Sequence, residues 1–109
     1  MPLVHAESIE ALEPILDGRE DGIVFKHSTR CPISRRADSE VGSFLSDHAD
    51  VPVHRILVVE DRPVSLAFAE RSGVPHASPQ ALVLRGGAVT WHGSHYDISA
   101  SALADAWTR

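Results

Sequence analysis

The sequence predicts an α/β fold: a four-stranded mixed sheet, two parallel strands plus an antiparallel hairpin, flanked by helices. Three features carry the prediction. GIVFK and VPVHRILVVE are short runs rich in β-branched and aromatic residues, as buried strands require. The stretches after each of them space their apolar residues at helical intervals. ALVLRGGAVTWHG then holds two apolar runs split by Gly86 and Gly87, a hairpin signal.

Element by element, Ser8 can cap a first helix through Ile9, Leu12, Ile15 and Leu16, with Gly18 as its stop and Pro14 as a source of kinking or shortening. Residues 22–26 form the first strand. A second helix is expected from Pro32 to about His48, with Ile33, Ala37, Val41, Phe44 and Leu45 on its apolar side and Arg35, Arg36, Asp38 and Glu40 largely elsewhere. Residues 51–60 form the second strand. The third helix spans 61–73, with a proline in its first turn, apolar Leu66, Phe68 and Ala69, and a glycine stop. The hairpin occupies 81–93, and a closing helix over 99–107 has a serine cap and apolar Leu103 and Trp107. A helix between two strands makes them parallel by a right-handed crossover, and a tight turn makes the last two antiparallel. The order βαβαββα is that of the thioredoxin fold, preceded by an extra N-terminal helix.

A chain of 109 residues fits a single domain, 1–109, and shows no linker, repeat or low-complexity tract. With 43% hydrophobic and 23% charged residues it lies far from the composition of disordered chains. A formal net charge of -5 argues against a nucleic-acid partner, which needs clustered Lys and Arg. No run approaches the length of a bilayer span, and the N-terminus lacks a secretory pattern, so the expectation is a cytoplasmic protein with no membrane partner. The one cysteine rules out an internal disulfide.

That residue, Cys31, stands in FKHSTRCPIS where the first strand gives way to the second helix. There it faces amides that have no carbonyl partner within the helix, and the positive end of the helix dipole. Pro32 suits the first helical position and leaves the amides of Ile33 and Ser34 free to point at sulfur, while Arg30 adds positive charge. Thiols in such settings titrate below the ordinary cysteine value of about 8.5, so Cys31 is expected to be a nucleophile rather than a core thiol. Ser34 occupies the position of the second cysteine in a dithiol C-x-x-C site. Its hydroxyl either donates to the Cys31 thiolate or bonds its own helix terminus, and the sequence leaves both open. A serine cannot resolve a mixed disulfide, so the chemistry is monothiol and the resolving thiol comes from elsewhere.

In HASPQ, Pro79 leads into the third strand, and by analogy with the thioredoxin fold it is a cis-proline facing the cysteine, with Ser78 presenting a docking amide. Lys26 and Arg62, near the carboxyl ends of the first two strands, are candidates for binding a carboxylate of a small thiol, with solvated surface charge as the alternative. His92 and His95 form an H-x-x-H pair and His76 is not far off in sequence, but no second cysteine or spacing helix supports zinc; no metal site is expected and the roles of these histidines stay open.

Four separated motifs, KHSTRCPIS at 26–34, VVEDRPVS at 58–65, GVPHASPQ at 73–80 and HGSHYDIS at 92–99, give the chain a close resemblance to the YtxJ-type bacillithiol system proteins, the monothiol bacilliredoxins of the thioredoxin superfamily. The resemblance runs over nearly the whole length. It implies an oxidoreductase that removes bacillithiol from protein mixed disulfides through Cys31, with S-thiolated proteins as partners, bacillithiol or glutathione as co-substrate, and no tightly bound cofactor. The malate carboxylates of bacillithiol fit Lys26, Arg30 or Arg62. Val74 and Pro75 before His76 depart from the expected pattern. A non-catalytic carrier, such as an iron-sulfur module resembling the monothiol glutaredoxins, is the competing reading; those proteins carry C-G-F-S, and here Pro32 follows Cys31. A monomer is expected.

Overall fold

The computed structural model describes residues 3–108. Its elements are β1 (Leu3–His5), α1 (Glu13–Leu16), β2 (Gly22–His27), α2 (Pro32–Asp47), β3 (Val53–Leu57), α3 (Arg62–Ser72), β4 (Gln80–Arg85), β5 (Ala88–Ser94) and α4 (Ala100–Thr108), with one-turn 3-10 segments at Glu10–Leu12 and His95–Asp97. The sheet order is β1-β3-β2-β4-β5. Strands β1 and β2 lie parallel to β3 on either side of it, and β4 and β5 continue antiparallel.

The sheet has five strands, not the four expected. The missed one, LVH, is three residues long with two of them exposed, so it carries no alternation signal; its backbone pairs with the edge of β3. The expected N-terminal helix is broken into a 3-10 turn and four α-helical residues. Pro14 lies in the first turn of α1, where its missing N–H costs nothing, so the proline starts the α-helical part rather than interrupting it. Ser8 does accept a hydrogen bond from the Ala11 amide (3.3 Å). Gly18 takes φ +87°, and a Cβ there would stand 2.9 Å from the Gly86 carbonyl carbon, so the turn after α1 packs directly on the hairpin.

The hairpin closes on Gly86 and Gly87, both at positive φ, as a two-residue primed turn requires. α4 starts one residue after Ser99, whose hydroxyl accepts from the Ala102 amide (3.1 Å), and Glu40 on α2 accepts from the Ala100 amide (2.9 Å).

Two cores sandwich the sheet. Ile23, Phe25, Val53, Ala81 and Val83 face Ala37, Val41 and Phe44 of α2 and Leu103 and Ala106 of α4. Val24, Ile56, Leu82 and Leu84 face Leu12 and Ile15 near α1 and Val64 and Phe68 of α3. Because β2 is central and covered on both sides, all six of its residues are buried, including its lysine and its histidine.

Candidate active site

β2 ends at His27, three loop residues follow, and Cys31 takes the N-cap of α2 in an extended conformation (φ -110°, ψ 123°). Its carbonyl accepts the first helical bond, from the Arg35 amide at 3.0 Å. The thiol is free and partly exposed, and Pro32 occupies the first turn, so the cysteine sits at the mouth of a sixteen-residue helix.

Ser34 faces inward and is fully buried. A buried hydroxyl takes the nearest buried polar partners. Here they lie at the end of β2: Ser34 Oγ accepts from the Ser28 amide at 2.8 Å and lies 2.8 Å from His27 Nδ1. Neither role left open by the sequence is the one observed, since the hydroxyl is bonded to the preceding strand and loop. His27, which sequence reading passed over, is 6% exposed, stacks on Phe25 at 5.5 Å, and is held below the usual histidine pKa chiefly by burial. The signal was available: residues 25 and 27 share a strand face, and that face is covered by α2.

Lys26 does not carry a surface charge. It is 0% exposed and points to the opposite face, over the Phe68 ring (5.7 Å to the centroid), with Nζ 3.1 Å from His76 Nδ1. Position 26 belongs to the central strand, so its side chain is interior whatever its type. Burial lowers its pKa to about 8. Ser65 Oγ is also 3.2 Å from His76 Nδ1, and the His76 ring is itself exposed.

β4 runs antiparallel to β2 with Gln80 opposite Lys26, so the start of β4 lies at the same sheet edge as Cys31. The Ser78–Pro79 bond there is cis. Pro79 is buried and its carbonyl accepts from the His95 amide (3.0 Å), while Ser78 Oγ is enclosed without a hydrogen-bond partner. Gln80, which the sequence did not single out, is 3% exposed and ties the loop ahead of Pro79 by donating to the Pro75 carbonyl (3.1 Å) and accepting from the Ala77 amide (3.4 Å). Arg62 opens α3 after the carboxyl end of β3, which places it at this edge too; both it and Arg30 are exposed. His92 and His95 are exposed, and no group of three or more His, Cys, Asp or Glu could hold a metal among the described residues. No described helix is long and apolar enough to cross a membrane.

Comparison with known proteins matches this arrangement. A solved thioredoxin-fold chain proposed to be an oxidoreductase superposes with TM-score 0.88 at 32% identity, covering 96% of this chain and 93% of that one. At 15% and 12% identity, thioredoxin O2 from Arabidopsis thaliana (TM-score 0.75) and thioredoxin from Trypanosoma brucei brucei (TM-score 0.76) share the fold, each over 98% of this chain and 92% of theirs. The family model described as monothiol bacilliredoxin BrxC matches residues 5–103. The chain therefore belongs to the monothiol bacilliredoxins, thiol oxidoreductases built on the thioredoxin fold.

Proposed function

We propose that the protein removes bacillithiol from protein mixed disulfides by thiol exchange at Cys31. The observation that carries the reading is a partly exposed cysteine at the N-cap of α2, the only cysteine in the chain, with the hydroxyl at the second-cysteine position committed to His27 and Ser28. The Cys31 thiolate attacks the bacillithiol sulfur, forming the Cys31–bacillithiol disulfide and expelling the protein thiolate. A second small thiol then attacks the bacillithiol sulfur, releasing Cys31 as thiolate and a disulfide of the two small thiols. Glutathione takes the same route where it is the cell's thiol.

Ser78 and Pro79 lead into β4 at the same sheet edge as Cys31, which supports docking there. Pro32 and Pro79 border the approach, and Arg30 and Arg62 attract a carboxylate-bearing thiol from solvent. Mass spectrometry after incubation with bacillithiol disulfide tests the proposal. The expected product is one bacillithiol adduct per chain, reversed by excess thiol and absent in Cys31→Ser; a wild-type protein that takes up no adduct overturns it.

A further inference from the structure

We propose that His76, backed by the buried ammonium of Lys26 and flanked by Arg62, is the contact that receives the carboxylate of the small thiol. Lys26 is the chain's only lysine; it is fully buried, and no carboxylate pairs with it among the described residues. An unpaired buried cation is costly, and an anion arriving next to it relieves that cost. The ammonium itself has no path to solvent in this conformation, so it acts through the group it touches, the imidazole of His76 at 3.1 Å.

An ammonium has only donors, so His76 Nδ1 must accept from it. The ring proton then stands on Nε2, and the ring is exposed. Ser65 Oγ, 3.2 Å from the same Nδ1, shares that acceptor with the lysine. The result is a fixed N–H donor at the surface with positive charge behind it. Partial burial first, and then the positive charges of Lys26 and Arg62, keep the His76 imidazole below its ordinary pKa and hence neutral at pH 7. A neutral N–H donor backed by a buried cation is suited to an anion.

The placement suits a thiol bound for Cys31. Lys26 stands five residues before Cys31 at the carboxyl end of β2, and Gln80 opposite it follows the Ser78–Pro79 bond. The identity of the anion as part of the small thiol rests on the exchange reading above; the site itself does not. Lys26 and Ser65 are positioning residues, and His76 is the contact.

Isotope-labelled protein titrated with malate, and separately with its uncharged diamide, tests the site without any exchange reaction. Malate is expected to give saturable NMR shifts at His76 Nε2 and at the single lysine Nζ, and the diamide none. His76→Asn should raise the malate midpoint by about tenfold or more, the loss of one charge-assisted hydrogen bond. Lys26→Met should weaken malate as well, where a lysine that serves only packing would leave the malate midpoint unchanged; His76→Asn tests the contact independently of that variant. Absence of saturation with malate overturns the site, whatever Cys31 does. Saturation in a protein whose Cys31 takes up no bacillithiol keeps the site and overturns the exchange reading. Preference for an acidic peptide over malate overturns the assignment to a small thiol.

Discussion

Replacing Lys26 by methionine should stabilise the protein at neutral pH. The side chain is fully buried, and burial lowers its pKa from 10.5 to about 8. At about 1.4 kcal/mol for each factor of ten in proton affinity, that gap is roughly 3 kcal/mol by which folding disfavours the charged amine. The unfolded chain holds the lysine proton more tightly than the folded one. Below pH 8 both states are protonated and the full cost is present; between about 8 and 10.5 the folded state loses its proton first, so wild-type stability rises with pH across this window. Methionine fills similar volume without the charge but gives up the bond to His76 and the contact over Phe68. Those are worth about 1–2 kcal/mol together, leaving a net gain near 1–2 kcal/mol at pH 7. Urea unfolding followed by the fluorescence of Trp91 and Trp107, at pH 7 to 10, gives the difference between the two proteins. It should shrink steadily above pH 8. Lys26 is the only lysine, the other groups that titrate in this window are common to both proteins and cancel in the difference, and His27 and His76, lowered by burial, have already lost their protons. A difference that stays flat from pH 7.5 to 10 would refute the reasoning.

Four further changes test the local structure by the same unfolding assay. Ser34→Ala leaves His27 Nδ1 and the Ser28 amide without the hydroxyl they share, and should cost about 1–3 kcal/mol; a neutral result would show that water replaces it at no cost. Phe44→Ala, at 1% exposure against the α4 side of the sheet, should cost about 3–5 kcal/mol. The glycines of the chain should split in sign. Gly42→Ala, in α2 with nothing within 4 Å of the added methyl, should gain about 0.5–1 kcal/mol, whereas Gly18→Ala, at φ +87° against the Gly86 backbone, should lose more than about 1 kcal/mol.

Much of this molecule is legible locally. The second helix was expected to start at Pro32, and it does, because a lone proline after an extended residue is a first-turn signal. The hairpin fell on Gly86 and Gly87 because glycine takes two consecutive positive φ values at no steric cost. Strand β3 was overestimated, at 51–60 against Val53–Leu57, because a β-branched run does not mark where its pairing partner ends. Strand β1 was invisible for the converse reason: its backbone pairing with β3, not an apolar pattern, makes it a strand.

By itself, the sequence determined the order of helices and strands, the single thiol at a strand-to-helix junction, and the lack of a second thiol to resolve it, since these depend on residue type and near neighbours. The tertiary structure decided which polar residues meet. Lys26 and His76 are fifty positions apart, and Ser34 was free, on sequence grounds, to face the thiol. Which way each side chain turned followed from the sheet order β1-β3-β2-β4-β5, which puts β2 at the centre with helices on both faces. The middle strand β2, covered on both faces, buries every side chain it carries, so its lysine had to find His76 and its histidine had to find Ser34, pairings set by non-local burial that no local pattern encodes.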